Sequence, residues 1–354
     1  MKFVHLPLSG SSRDSGGEEL FGIQGAAKTE VNEAVRFLAA AIALFILAIA
    51  GTTLHAEDHP SRPIHLIIGF PPGSVADVSF RVINAKLSEI LGQPIIIEDR
   101  PGAGSGLAAA QAARSPNDGY TLYVGSSANV FDQALQLNKN FDFYKDFTPI
   151  MFAVSAPTIL VVTPSLGIES VSDLVSYTRA HPGKLSFASA GFGSAAHLSL
   201  ELFKLATKTD IVHVPYPGSP QVITDMLAGR VDGFFGPGTT VRSYIESRRL
   251  TALAVAEPKR SIFFPDVPTL AEAGVPGADS ALWFGYMAPK GTPQTVIAKL
   301  SEAANQAMRT DDVVKNLKLQ TIEPHQGSPD DFARYIEQER KRWTDVVDTA
   351  GLRK

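Results

Sequence analysis

Short apolar runs alternate with longer segments of helical period from residue 64 to the end of the chain. The runs are rich in β-branched residues and are bounded by Gly, Pro, Asn or Asp, which is typical of buried strands. Several of the longer segments begin after a serine that can cap a helix. This alternation predicts an α/β fold with mostly parallel, doubly wound sheets, whose ligands bind beyond the carboxyl ends of the strands.

Two stretches of the chain have the same build. Residues 64–77 read IHLIIGFPPGSVAD and residues 185–197 read LSFASAGFGSAAH. Each contains an apolar strand, a glycine-rich turn and then a helix that begins after a serine. The unpaired N–H groups and the positive dipole end of a helix N-terminus attract anions. We therefore predict two lobes that close on a small anionic solute, with one glycine turn contributed by each lobe.

The chain is expected to pass between these lobes twice. Residues 150–163 are rich in β-branched residues and are interrupted by Pro157, which predicts two strands with a crossover between them. A later apolar run, residues 280–288, is expected to be the strand that returns to the first lobe. The predicted division is residues 57–157 and 284–354 for lobe 1, and residues 158–283 for lobe 2.

One segment near the N-terminus is strongly apolar. Residues 37–51 read FLAAAIALFILAIAG, which is shorter than the roughly 20 residues that span a bilayer. Arg36 precedes the segment and small or polar residues follow it as far as Ala56, which is the layout of a secretory signal. We predict a leader and signal peptide over residues 1–56, with residues 31–56 as the export signal, and a periplasmic location. An uncleaved membrane anchor is the alternative.

Composition narrows the chemistry. A chain of 354 residues is long enough for two domains, and its formal net charge of −4 gives no basic field for nucleic acid. The chain has no cysteine, which excludes disulfides, thiolate catalysis and cysteine-based zinc sites. No cofactor and no metal site is expected.

Hydroxyl and amide side chains follow several predicted strands. Ser126, Ser127 and Asn129 stand between a strand and a helix, and Tyr216 stands at the end of another strand. At these positions they would face the cleft or cap a helix. The glycines of AGFGSAAH also match a weak dinucleotide fingerprint, but an exported protein rarely meets such a cofactor.

Ser194 and His197 raise the alternative of a hydrolase. The two residues lie on one turn of the same helix, which places them poorly for a linear relay, and no G-x-S-x-G elbow is present. A capping serine with a histidine that lines the cleft is the preferred interpretation. His197 and Glu201 could share a metal ion, but no third ligand is near them in sequence.

Longer motifs resemble a known family. RPIHLIIGFPPGSVAD (62–77), FGSAAHLSLELFK (192–204), HVPYPG (213–218) and FPDVPTLAEAGVPG (264–277) are similar to the periplasmic solute-binding proteins of tripartite tricarboxylate transporters, the Bug receptors. The resemblance implies a type II periplasmic binding protein of Venus-flytrap form with a hinge of crossing strands. It implies capture of a small carboxylate and delivery to a membrane permease.

The resemblance also implies ligand contacts. In that family the first-lobe loop that matches Pro71, Pro72, Gly73, Ser74 and Asp77 holds a ligand carboxylate, with Ser74 here in place of a usual glycine. The second-lobe loop is represented by Gly193, Ser194 and His197. The ligand contacts predicted for this chain are Phe70, Pro72, Gly73, Ser74, Asp77, Ser126, Ser127, Asn129, Gly193, Ser194, His197 and Tyr216.

The sequence therefore predicts an extracytoplasmic receptor, monomeric and without catalytic residues. Its expected partners are a small carboxylate and the permease subunits of a tripartite transporter. Two alternatives stay open at this point, namely a periplasmic hydrolase that uses Ser194 and His197, and a ligand sensor that feeds a two-component system.

Overall fold

Strands and helices alternate along most of the chain, as the sequence pattern predicts. The computed structural model describes residue 38 and residues 59–137, 139–280 and 282–350. The strands are β1 (Ile64–Ile68), β2 (Ile95–Asp99), β3 (Thr121–Ser126), β4 (Phe147–Ala156), β5 (Thr158–Val162), β6 (Ser186–Ser189), β7 (Val212–Pro215), β8 (Gly233–Pro237), β9 (Thr251–Val255), β10 (Leu282–Pro289) and β11 (Glu323–Pro324). The α-helices are α1 (Val75–Leu91), α2 (Gly106–Ala112), α3 (Ser127–Leu135), α4 (Phe143–Asp146), α5 (Val171–Ala180), α6 (Ala195–Thr207), α7 (Ser219–Leu227), α8 (Gly238–Glu246), α9 (Gln294–Met308), α10 (Asp311–Leu319) and α11 (Pro329–Ala350).

The predicted leader and signal peptide, residues 1–56, lie outside the described residues except for Leu38. The prediction of an export signal therefore stays a prediction. Within the described ranges, no helix is long and apolar enough to cross a membrane.

The strands form two sheets. The first has the order β11-β4-β10-β3-β1-β2 and the second has the order β7-β6-β8-β5-β9. Strands β1 to β3 are parallel neighbours, and β4 runs in their direction because β10 is antiparallel to both β3 and β4. In the second sheet β6, β7 and β8 are parallel, and β5 is antiparallel to both β8 and β9.

Most strands of each sheet share one direction, as expected, but the sheets are mixed, since four neighbouring strand pairs are parallel and five are antiparallel. The reason lies in the connections between the sheets. Strand β4 leaves the first sheet at its carboxyl end, and β5 enters the second sheet directly after Pro157. A strand that enters at the carboxyl edge must run away from that edge. Strand β10 re-enters the first sheet in the same way, so each sheet contains one reversed crossing strand.

The chain passes from one sheet to the other at two points. The first is Pro157, between β4 and β5, and the second lies between Val255 and Leu282. Strand β10 pairs with β4 from Leu282 onward, so the predicted lobe boundary at residues 283 and 284 falls inside this strand. The lobe boundaries themselves stay predictions.

The first sheet is buried on both faces, as its alternating side chains show. Leu66 and Ile68 of β1 pack in an apolar cluster with α1 and α9, whereas the intervening Ile67 packs in the other large cluster. This alternation follows from the two-residue period of a strand. The second cluster includes Trp343 of α11, whose ring lies edge-on to Phe131 of α3. Both faces of the sheet thus hold the ends of β1 and β3 in fixed positions.

Candidate functional site

The two glycine turns have nearly the same geometry. Gly73 and Gly193 have φ angles of +79° and +76°, a region that glycine enters without steric strain. Ser74 then caps α1 by accepting a hydrogen bond from the Asp77 amide at 3.3 Å. Ser194 caps α6 in the same way, accepting from the His197 amide at 3.3 Å. The two predicted loops are therefore structural counterparts.

The amides of both glycines are already hydrogen-bonded within their own loops. The Gly73 amide donates to Asp77 Oδ2 at 2.8 Å, and the Gly193 amide donates to His197 Nδ1 at 3.2 Å. A carboxylate and an imidazole thus occupy matching positions one helical turn after each glycine. Neither glycine amide is left to donate to a ligand, so the loops act on an anion through the residues that follow.

The next amides are the ones available to an anion. Val75 and Ala76 begin α1, while Ala195 and Ala196 begin α6. Among the described residues, none of these four amides has a hydrogen-bond acceptor. Unsatisfied first-turn amides are the groups with which a helix N-terminus binds an anion.

A cavity of about 50 Å³, here called the inner cavity, lies where these helix ends meet. Its lining combines the first residues of helices with the ends of strands. The lining residues are Phe70, Ser74, Val75, Ser126, Ser127, Ala128, Thr158, Ala190, Ser194, Ala195, Ala196, Ser219, Phe235, Pro237, Leu282 and Phe284.

Five helices direct their N-termini at the inner cavity. Helices α1, α3, α6 and α7 contribute first-turn residues, and α8 contributes its N-cap, Pro237. Each helix N-terminus carries roughly +0.5 of an elementary charge. None of the described residues that line the cavity is acidic, basic or a histidine. The cavity therefore has a positive potential that comes from backbone dipoles.

Two buried hydroxyl groups in the inner cavity have no hydrogen-bond partner among the described residues. They belong to Ser127 of α3 and Thr158 of β5, and each residue is only 2% exposed. A buried hydroxyl without a partner is unfavourable by about 1–3 kcal/mol, so such groups are rare unless a ligand or water satisfies them. One comes from each side of the crossover at Pro157, and both residues line the same cavity.

Aromatic side chains form the apolar wall of the inner cavity. Phe70 and Phe284 meet edge-to-face with ring centroids 5.6 Å apart, and Phe235 and Leu282 continue this wall. Phe284 lies in β10 opposite Ser126, so its position is fixed by the reversed crossing strand. A carboxylate bound at the helix ends thus has its carbon skeleton in contact with apolar surface.

A second and larger cavity of about 360 Å³, here called the outer cavity, adjoins the first through Phe70 and Ala190. One wall is the RPGAGSG segment, where residues 102–105 all have positive φ. Two of these, Ala103 and Ser105, are not glycine, and such strained backbone is characteristic of functional loops. The opposite wall contains Gly191, Phe192 and Tyr216.

The predicted ligand contacts separate into two groups. Phe70, Ser74, Ser126, Ser127 and Ser194 line the inner cavity, and Tyr216 lines the outer one together with Phe70. The others stand behind the walls and shape them. These residues, absent from the lining of either cavity, are Pro72, Gly73, Asp77, Asn129, Gly193 and His197.

Two of the supporting residues show how the walls are shaped. Asn129 Oδ1 accepts from the Ser126 amide at 3.0 Å and from the Tyr123 hydroxyl at 3.0 Å, which fixes the start of α3. The other carboxylate oxygen of Asp77, Oδ1, lies 2.5 Å from Arg81 Nε. The Asp77 carboxylate therefore orders a loop through Oδ2 and forms an ion pair with an arginine through Oδ1, which makes no hydrogen bond among the described residues.

His197 is held neutral by its surroundings. Its ring stacks on His213 with centroids 4.0 Å apart and an angle of 13°, and Lys204 and Glu201 are the charged groups nearby. Burial lowers the pKa of His197 to about 4, and Lys204 contributes to the shift. Burial, together with the His197 ring, lowers the pKa of His213 to about 4. Because Nδ1 of His197 accepts from the Gly193 amide, a neutral ring is also what the loop requires.

This pair predicts a loss of stability in acid. Both histidines have a folded pKa below the value of about 6.5 for an unfolded chain, so their contribution is complete above pH 6.5 and is lost as pH falls towards 4. We expect the pH dependence of Tm between 7.5 and 4.5 to flatten in the double variant His197→Asn with His213→Gln. Asn at 197 can accept from Gly193 as Asp77 does from Gly73.

The comparison must be made between variant and wild type at each pH. Burial raises the pKa of Glu257 to about 7, and Glu323 nearby adds to this, so Glu257 destabilises the fold as pH rises through the same range. This opposing effect is common to both proteins and cancels in their difference. An unchanged slope in the double variant would show that the histidine pair does not control acid stability.

The residues that the sequence analysis missed are those with no local motif. Thr158, Ser219, Phe235, Leu282 and Phe284 line the inner cavity but come from four elements that are far apart in sequence, β5, α7, β8 and β10. Thr158 offered one signal, since it is the polar residue that directly follows Pro157 at the start of an apolar strand. Among the described residues, no cluster of three or more His, Asp or Glu could hold a metal ion.

Matches to known proteins identify the class. A family profile described as tripartite tricarboxylate transporter family receptor matches residues 79–352. The chain is 37% identical over 320 residues to protein BugT of Bordetella pertussis, with 89% of this chain and 98% of BugT covered. It is 36% identical over 313 residues to a protein of the tcbD-tcbE intergenic region of a Pseudomonas strain, covering 88% of this chain and 93% of that protein.

Solved structures give the same result. An R. palustris protein solved with adipate is 37% identical, with a TM-score of 0.78 over 83% of this chain and 98% of its own. MatC of Rhodopseudomonas palustris with bound malate is 32% identical, with a TM-score of 0.77 over 81% and 99%. The periplasmic binding protein BugD is 27% identical, with a TM-score of 0.79 over 84% and 100%.

The two-lobed α/β fold with a cavity of helix N-termini between its sheets is that of a solute-binding receptor. The chain belongs to the receptor family of the tripartite tricarboxylate transporters, whose members are periplasmic. This confirms the predicted fold class and the predicted receptor function.

Proposed function

We propose that this chain binds one small carboxylate in the periplasm and delivers it, unchanged, to the membrane permease of a tripartite transporter. The observation that carries the proposal is the inner cavity, where five helix N-termini meet two buried hydroxyls that have no partner in the described part of the chain. The relatives solved with adipate and malate support the same class of ligand. We also propose that the receptor acts as a monomer and that its export uses the signal at residues 31–56.

Delivery without catalysis is supported by the geometry at Ser194. A nucleophilic serine needs a base within hydrogen-bond reach of its hydroxyl. Here Ser194 Oγ accepts from the His197 amide, while His197 Nδ1 accepts from the Gly193 amide. The remaining ring nitrogen, Nε2, lies 3.9 Å from Glu201 Oε1. Ser194 thus caps a helix, and neither ring nitrogen of His197 contacts its hydroxyl. This argues against the hydrolase alternative, because the hydroxyl has no base to accept its proton.

The binding energy is of the right size for a receptor. A hydrogen bond to a charged group contributes roughly 1.5–3 kcal/mol. Several such bonds from first-turn amides and the two hydroxyls, less the loss of translational and rotational freedom, give about −8 kcal/mol, which is a micromolar Kd.

The proposal is tested by titrating the purified receptor with mono- and dicarboxylates of two to eight carbons in a calorimeter. We expect saturable binding of one molecule per chain, and the recovered ligand to be chemically unchanged by NMR. At a hundred times Kd the ligand should raise the stability by about 2.7 kcal/mol, which is several degrees in Tm. Ester turnover that disappears in Ser194→Ala, without saturable carboxylate binding, would instead favour the hydrolase.

A further inference from the structure

The volumes of the two adjoining cavities limit where the carbon skeleton of the ligand can lie. The inner cavity of about 50 Å³ has room for a few water-sized groups, which is enough for a carboxylate and the first carbons of its skeleton. The outer cavity of about 360 Å³ shares Phe70 and Ala190 with it. A longer ligand must therefore extend past Phe70 into the outer cavity.

The described walls of the outer cavity hold no cation. Its one ionisable side chain is Tyr216, whose hydroxyl donates to Asp225 Oδ2 at 2.7 Å, and Asp225 is in turn paired with Arg230. Burial and the hydrogen bond to Asp225 raise the pKa of Tyr216, so the phenol stays protonated. Asp225 and Arg230 are themselves absent from the lining, so the described walls of the outer cavity carry no charged side chain.

Aromatic side chains supply most of the apolar surface there. Phe70 stands at the junction of the cavities, and Phe192 and Tyr216 stand on the far wall. Phe192 is 61% exposed, and its ring meets the rings of His197 and His213 at centroid distances of 5.4 Å and 5.0 Å. An exposed phenylalanine at the wall of a cleft gains most from covering an apolar ligand, at roughly 25 cal/mol per Å² of buried surface.

The polar inner cavity and the uncharged, apolar outer cavity favour different groups at the two ends of a ligand. A carboxylate in the inner cavity replaces water by helix dipoles, first-turn amides and two hydroxyls. A second carboxylate beside Phe192 and Tyr216 would lose water without gaining a cation, which is unfavourable unless the charge is paired. An apolar group at the same place loses nothing and buries surface.

We propose that the ligand of this receptor is a monocarboxylate with an uncharged, apolar body that lies between Phe70, Phe192 and Tyr216. The inference rests on the proposed function and narrows its substrate class. It assigns the charge of the ligand to the inner cavity and its carbon skeleton to the outer one.

Hexanoate and adipate form a matched pair for the test, because they have the same number of carbons and differ in the second carboxylate. We expect calorimetry at pH 7.5 to give a Kd for hexanoate at least tenfold lower than for adipate. Equal or tighter binding of adipate would overturn the inference and place the second carboxylate on the amides of residues 102–105. Binding of neither acid, nor of any other carboxylate of the panel, would contradict the proposed function as well.

A second variant tests the assignment of the outer wall. Phe192→Arg introduces a cation at a position that is 61% exposed. We expect the ratio of the Kd for adipate to the Kd for hexanoate to fall at least tenfold in this variant. Ile262→Arg is the matched control, since Ile262 is 70% exposed but lines neither cavity. An equal shift in both variants, or none in Phe192→Arg, would contradict the placement of the ligand body beside Phe192.

Discussion

The variant Thr158→Val should be more stable than the wild type and should bind its carboxylate about ten- to a hundredfold more weakly. The two effects have opposite signs because the Thr158 hydroxyl is 2% exposed and has no partner among the described residues. Valine keeps the branched shape and removes the unsatisfied group, and it suits the apolar strand β5.

The magnitudes follow from the same hydroxyl. Without ligand, its burial is unfavourable by about 1–3 kcal/mol, and part of this is recovered in the variant, so we expect a rise in Tm of about 2 °C or more. With ligand, the hydroxyl donates to a carboxylate, and the loss of a hydrogen bond to a charged group weakens binding by about 1.5–3 kcal/mol. Thermal unfolding of the ligand-free protein and calorimetric titration measure the two effects separately.

Thr178→Val is the matched control for this substitution. Thr178 is also fully buried, but its hydroxyl donates to the Leu174 carbonyl in α5 and lies outside both cavities. The control should leave the affinity unchanged and should not gain stability. If Thr158→Val binds carboxylates as well as the wild type, the Thr158 hydroxyl is not a ligand contact; if it is less stable, the hydroxyl has a partner in the free protein.

The matched loops could be predicted from sequence because their geometry is local. A glycine followed by a serine cap fixes both the positive φ and the start of the helix, and these features recur at Gly73 and Gly193. The role of the glycine amides could not be predicted. Whether Asp77 and His197 turn back to accept from them depends on side-chain rotamers and on packing, such as the stack of His197 on His213.

The direction of the crossing strands also could not be predicted from a local sequence pattern. An apolar run such as β10 has the same composition whether it runs parallel or antiparallel to its neighbours, so alternation alone favoured parallel sheets. The pairing of Phe284 with Ser126 joins residues that are far apart in sequence. The same holds for Thr158, whose neighbour across the sheet is Pro237. The part of the inner cavity that derives from β5, β8 and β10 is therefore a product of topology.

The variant Gly218→Ala should weaken ligand binding by about five- to a hundredfold while leaving the ligand-free protein almost as stable as before. Gly218 is the N-cap of α7, and its φ of −177° is open to any residue, so the substitution does not strain the backbone. A Cβ at this position would lie 2.5 Å from Pro71 Cγ, on the loop that follows β1. The two loops stand on opposite sides of the cleft, and an added methyl would hold them apart.

The added methyl should destabilise only the closed form of the receptor, in which the loops of Gly218 and Pro71 touch. Overpacking by a methyl group is unfavourable by about 1–3 kcal/mol, and an open cleft avoids the contact, so this energy is subtracted from binding and leaves folding almost unchanged. Calorimetry measures the loss of affinity, and small-angle scattering should show a larger radius of gyration for the ligand-saturated variant than for the ligand-saturated wild type.

A second substitution tests whether the methyl group at residue 218 acts by contacting Pro71. Pro71→Ala removes the Cγ that the new methyl would meet and keeps the Pro71 carbonyl that accepts from the Ser74 amide at 3.1 Å. The double variant should therefore recover most of the affinity lost by Gly218→Ala, measured against Pro71→Ala alone. Rescue would tie ligand affinity to the approach of these two loops. Full affinity in Gly218→Ala itself would mean that ligand binding does not require them to touch, and would remove closure at this point from the binding mechanism.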